Sequence, residues 1–185
     1  RFRSLAEVGV YSIGVSFGLV PKIALAAFET AWAPFYYSTS RQADAPAVFA
    51  RVATHGIALL ALMTGGLAAI AGDLLELMTR GEFTAAAPVV AWTAVGVFFY
   101  GIYLLTSIGL NITSHTQYYP VSTAIGAGVN VALNFALIPS FGMLGAAWAN
   151  AAAYGLQMVI AFRFSQRFYP IQYERRVLIV VFAAL

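Results

Sequence analysis

Cysteine is absent from this chain. That excludes a disulfide framework, a thiol nucleophile and a thiolate metal site. Charge is scarce. Asp, Glu, Lys and Arg make up 9% of residues, against about 25% in an ordinary soluble domain. Hydrophobic residues make up 61%, and mean hydropathy is +0.81. The chain therefore reads as embedded in a membrane. No soluble domain or long linker fits between its apolar runs. Nucleotide-binding signatures are missing, and neither a metal-binding H-E-x-x-H nor a G-x-S-x-G nucleophile elbow is expected. The opening residues 1–9 lack the apolar core and cleavage site of a signal peptide. The excess of positive charge is small, a net +3, and is read as loop charge at a membrane, not as a nucleic-acid surface.

The apolar runs exceed ten residues and do not alternate, which argues for helices over strands. Five spans are predicted, at residues 8–37, 47–71, 85–110, 118–138 and 144–164, with a sixth beginning at Val177. The final run, 177–185, is shorter than the ~20 residues a crossing needs, so the chain is expected to stop inside a helix. The expected fold class is an all-α membrane protein, one polytopic transmembrane bundle over residues 1–185. Pro21 predicts a kink in the long first span. Orientation follows the placement of Lys and Arg. Arg1, Arg3 and Arg80 mark one set of ends, and Arg41, Arg51, Arg163, Arg167, Arg175 and Arg176 the other. The richer side is the expected cytoplasmic side. Asp73, Glu76 and Glu82 are expected in an acidic outer loop.

Residues 126–155 read as two spans joined by a very short turn. Pro139 lacks an amide hydrogen and clashes with the preceding turn, so it is expected to end the first helix. Gly142 then permits the turn. Gly126, Asn130 and Asn134 recur at four-residue spacing on one helix, and Gly145, Ala149 and Ala153 on the other. Small residues let backbones approach, and amides can hydrogen-bond across such a contact. The helix-packing residues expected are Gly126, Asn130, Asn134, Pro139, Gly142, Gly145 and Asn150.

The same stretch, with Asn134, Leu137, Ile138, Pro139, Gly142, Gly145, Ala146 and Ala147, resembles the late part of polysaccharide flippases. These are the O-antigen and exopolysaccharide flippases of the multidrug/oligosaccharidyl-lipid/polysaccharide superfamily. Residues 8–38 are similar to the helix that opens the second half of that family. Its members are longer, so the resemblance implies a fragment of a C-terminal half. It implies a multi-pass protein of the bacterial inner membrane that moves a polyprenyl-diphosphate-linked oligosaccharide by alternating access, for cell-surface polysaccharide synthesis. The implied partners are that substrate, membrane lipid, H+ or Na+ as coupling ion, and the missing N-terminal half. The alternative is a multidrug and toxin extrusion antiporter or a lipid II flippase of the same superfamily. An enzyme is not expected, because the loops are too short for a membrane-embedded transferase.

Lys22 and Glu29 lie inside the first predicted span. An ionised group at mid-membrane costs about 2.5–3.5 kcal/mol on insertion scales and marks a cavity or a partner. Seven residues at 100° each bring Glu29 to within about 20° of Lys22. Tyr11, Gly18 and Tyr36 fall near the same line. Weaker stripes run through Thr93, Tyr100, Ser107 and Asn111, through Tyr119, Thr123 and Asn130, and through Asn150, Tyr154 and Gln157. Hydroxyls, amides and aromatic rings hold sugars without strong charge. Lys22, Glu29, Tyr11, Tyr100 and Gln157 are the expected substrate-cavity residues. Lys22 would attract a diphosphate or an acidic sugar, and Glu29 a proton or counter-ion. The plainer alternatives are a self-neutralising Lys–Glu pair and ordinary helix–helix hydrogen bonding. His55 and His115 fit no metal pattern, and no cofactor, metal or catalytic residue is expected. Arg163, Arg167, Arg175 and Arg176, interleaved with Phe164, Phe168, Tyr169 and Tyr173, read as a collar for anionic lipid.

Overall fold

Pro21 breaks the first span where its missing amide hydrogen requires. The computed structural model, which describes residues 5–173, divides this span into α1 (Leu5–Gly18) and α2 (Val20–Thr39), bent by 41°. Pro21 is in the first turn of α2, where its absent donor has no helical acceptor to lose. Pro46 and Pro88 likewise sit in the first turns of α3 (Ala45–Thr79) and α4 (Ala87–Thr106). A single 3-10 turn, Thr84–Ala86, leads into α4, and α5 (Ile108–Ile112) continues it beyond a break at Ser107. The chain closes with α6 (Tyr118–Phe141) and α7 (Met143–Phe168). Among the described residues there are helices and no strands. Arg1, Arg3, Arg175, Arg176 and the predicted span from Val177 lie outside the described residues.

Among the described residues, three helical stretches are long and apolar enough to cross a membrane: Ala45–Thr79, Thr84–Ile112 and Tyr118–Phe141. The bent pair α1–α2 makes a fourth if it acts as one span. The helix α7 covers the fifth predicted span, but Asn150, Tyr154 and Gln157 dilute its apolar run, and it does not join this set. Two boundaries also differ from expectation. The third helix runs to Thr79, so Asp73 and Glu76 stand on its last turns and not in a loop. Leu74, Leu75, Leu77 and Met78 are good helix formers, and helix propensity outlasts the apolar stretch there. The stop is set by backbone, with Arg80 and Gly81 both at positive φ, 53° and 84°. Pro139 does not end α6. The helix continues to Phe141, because a proline in the last turn forfeits only one internal hydrogen bond. Gly142, at φ 59° and ψ −132°, makes the turn instead.

Glycine sets the closest approaches. A Cβ at Gly145 would stand 2.6 Å from the Leu137 carbonyl oxygen, so α6 and α7 meet backbone to backbone. Further along the pair, Gly126 faces Ala153 and Gln157, which makes the two helices antiparallel. Gly14 and Gly18 seat α1 on α4 in the same way, against Val89 and Thr93. Gly18 and Thr93, read from the sequence as members of polar stripes, therefore form a helix contact. The string Gly14-Val15-Ser16-Phe17-Gly18 does carry G-x-S-x-G spacing, but it lies inside α1, where the Ser16 hydroxyl donates to the Ser12 carbonyl at 2.9 Å. It is no strand-to-helix elbow. The main core joins α2, α3 and α4 through Trp32, Phe49, Ile57, Phe98 and Leu105. One end of the bundle gathers Leu5, the 80–84 turn and Gly142, and the other gathers Thr39–Ala45, the 113–117 turn and residues 168–171.

Candidate functional site

The bend at Pro21 points the first turns of α2 along α4, and Lys22 and Glu29 meet the same side chain there. The Tyr100 hydroxyl donates to Glu29 Oε1 at 3.0 Å, and Lys22 Nζ lies 5.2 Å from the centre of the Tyr100 ring. The two charges engage this one ring instead of pairing directly. A cation over a tyrosine face is attracted by the ring quadrupole, by about 0.5–2 kcal/mol according to exposure. A hydrogen bond to a carboxylate is stronger than a neutral one. Tyr100 thus ties both ends of the polar stripe on α2 to the buried helix α4.

Beyond Glu29 opens a cavity of about 360 Å³, walled by Trp32 and Tyr36 of α2, Tyr100 and Tyr103 of α4, Ser107, Asn111 and Tyr119. Among the described residues Glu29 is the one charged group in that wall, and Lys22 is not part of it. The rings form a column. Tyr154 meets Tyr100 edge to face at 5.8 Å, Tyr100 lies 5.8 Å from Tyr103, and Tyr103 meets Tyr119 edge to face at 6.0 Å. The lower end is held by the helix break at Ser107. There the Ser107 carbonyl accepts both the Leu110 N–H at 3.0 Å and the Tyr119 hydroxyl at 2.9 Å, while that hydroxyl accepts from Asn111 Nδ2 at 2.8 Å. Trp32 carries a buried Nε1–H with no partner among the described residues. Such a cavity offers aromatic faces, hydroxyl donors and one carboxylate.

The five residues expected to line one cavity separate into three groups. Lys22, Glu29 and Tyr100 come together. Gln157 lies beside the column, donating to Thr123 Oγ1 at 3.0 Å and engaging Tyr103, but it lines a different groove of about 270 Å³ between α6 and α7. Tyr11 is remote, in a hollow of about 190 Å³ with Glu7, Ile138 and Met143. The 41° bend carries α1 away from the line of α2, so the shared azimuth does not persist across Pro21. Of the expected packing residues, Gly126, Gly142 and Gly145 make the α6–α7 contact and turn described above. The amides behave otherwise. Asn134 Nδ2 donates to Asn130 Oδ1 at 2.9 Å along α6, and the bond across the helix pair is the Gln157–Thr123 one.

Three further contacts were not foreseen. Trp32 and Tyr103 belong to the cavity wall, each one helical turn from a residue already singled out, Glu29 and Tyr100. Glu7 accepts the Met143 N–H at 3.3 Å, placing a carboxylate at the N-terminus of α7 where the helix dipole favours it. Gln166 exchanges two hydrogen bonds of 2.8 Å with the backbone of Ile171, folding the chain after α7 back so that Ile171 is buried. The collar around Arg163 and Arg167 is aromatic in fact: His115 stacks on Phe168 at 3.8 Å and Tyr118 on Phe164 at 4.3 Å. His55 Nδ1 lies 2.7 Å from the Arg51 carbonyl oxygen on its own helix. Among the described residues no group of His, Asp or Glu is placed to hold a metal ion. Comparison with protein-family models, with curated proteins and with solved structures found no match.

Proposed function

We propose that this chain is part of a bacterial inner-membrane flippase that moves a polyprenyl-diphosphate-linked oligosaccharide by alternating access. The reading rests on one observation above the rest: Tyr100 joins Lys22 and Glu29 at the edge of a tyrosine-walled cavity inside a bundle of apolar helices. Tyrosine faces stack on sugar rings, their hydroxyls hydrogen-bond to sugar hydroxyls, and a carboxylate fixes orientation. Lys22, outside the wall, is the group available to an anionic linkage. In this reading α7 is a fifth crossing, Arg41, Arg163 and Arg167 face the cytoplasm, and the remaining half of the transporter supplies the opposite wall.

A complementation assay for surface polysaccharide tests it. Lys22→Ala and Glu29→Gln should each abolish export at normal protein level, and Lys22→Arg should retain part of it. Full export by Lys22→Ala removes the residue from the mechanism. A second reading is favoured by a separate fact, that the charge carried by the described cavity wall, Glu29, is negative. Aromatic rings with a single carboxylate also fit an organic cation, as in a drug antiporter. In that case Glu29→Gln would abolish resistance to lipophilic cations and leave polysaccharide export intact.

A further inference from the structure

The groove between α6 and α7 carries no charge among the described residues, and Gly126, Ala127, Val131 and Ala153 line it beside its polar groups. Thr123, Asn130, Asn150, Tyr154 and Gln157 supply its polar wall, and its volume is about 270 Å³. Its amides are under-used. Asn130 spends its oxygen on Asn134 and has no acceptor for its own N–H groups among the described residues. Asn150 has no hydrogen-bond partner there at all, and both amides are half-buried, within reach of a ligand in the groove. Gly126 closes one side of the groove, where α6 approaches α7 so tightly that a Cβ would lie 3.3 Å from the Ala153 carbonyl oxygen.

The groove also continues the tyrosine column. Tyr154 belongs to its wall and touches Tyr100, and Gln157 belongs to its wall and engages Tyr103. We propose that the α6–α7 groove is a second, charge-free subsite that takes one uncharged sugar ring bearing hydroxyl or acetamido groups, next to the carboxylate-containing cavity. Asn130 supplies donors, Asn150 donors and an acceptor, and Tyr154 a ring face. This rests on the glycan reading of the first cavity and adds a division of labour: the Glu29 cavity holds one unit, the amide groove its neighbour.

Binding of methyl N-acetyl-β-D-glucosaminide to the full chain in nanodiscs, followed by saturation-transfer NMR, tests this. Asn150→Leu and Asn130→Leu should each weaken binding roughly tenfold, the loss of one or two hydrogen bonds. Asn150→Ala, which adds no bulk, should do the same with an unchanged melting temperature. A water-soluble thiol reagent should label Asn150→Cys, and the sugar should protect it; no native cysteine competes. Wild-type binding in all three variants, with binding lost in Glu29→Gln, overturns the subsite and leaves the proposed function standing. No saturation transfer to the wild-type chain overturns the subsite. So does a Val131→Cys chain that resists the reagent and instead cross-links to another transmembrane helix.

Discussion

The helices α4 and α6 are alike in sequence and opposite in place. Their spans have mean hydropathies of 1.8 and 1.7, yet 61% of one apolar window is buried within the chain and 11% of the other. Val89, Val90, Ala94, Phe98 and Leu105 of α4 are enclosed by α1, α3 and α7, whereas Val131 and Phe135 of α6 are exposed. The difference teaches that apolarity selects a helix for the membrane without selecting its neighbour. Lipid and protein interiors are about equally apolar, so packing and polar contacts decide which helix becomes central. The candidate site follows that division. Two of its tyrosines, Tyr100 and Tyr103, are on the enclosed helix, and its spare amides are on and beside the open one.

The comparison can be broken most directly at its enclosed end. Phe98→Ala empties a fully buried position and should destabilise the chain by about 3–5 kcal/mol, read by reversible unfolding in mixed detergent. A loss under one kcal/mol, on the order of an exposed-site change, would show that α4 is not the packing centre. Gly145→Leu should come next, at about 1–3 kcal/mol, because the new side chain meets the Leu137 backbone and has nowhere to move. Cysteine cross-linking between α6 and α7 should fail in the same variant, and unchanged cross-linking would refute the close approach. Tyr119→Phe removes the donor to the Ser107 carbonyl and should lower stability by about 1 kcal/mol. It should also raise hydrogen exchange around the break between α4 and α5; an unchanged exchange pattern would detach the column from that break. The smallest effect is expected at the open end. Phe135 is 79% exposed, and Phe135→Ala should change the stability of the isolated chain by less than about 0.5 kcal/mol. A large loss there would mean that α6 is covered by protein, as by a second copy.

Much of this was legible beforehand. The bend at Pro21, the turn at Gly142 and the shared face of Lys22 and Glu29 all follow from local geometry. Tyr100 was legible as a member of a stripe, but its position between two charges on another helix was not. Tyr11 failed because a fixed angle per residue holds only while the helix is unbroken. The packing amides failed for a different reason: Asn130 and Asn134, one turn apart, reach each other before they reach α7. Gln166 had no signal, since its partner is a backbone five residues on whose path depends on the burial of Ile171.

Composition alone makes these helices membrane-compatible, because a nearly uncharged apolar run has one low-energy home, with its backbone bonds closed inside a helix. Periodicity and proline then place the stripes and the bend, since both act within a few residues. Which stripe meets which could not be read that way. The pairing of α2 with α4 at Tyr100, and the hollow left between α6 and α7, arise where glycines let some backbones close to contact while tyrosine and asparagine side chains hold others apart. Those distances belong to pairs of helices, and no window of a single helix contains them.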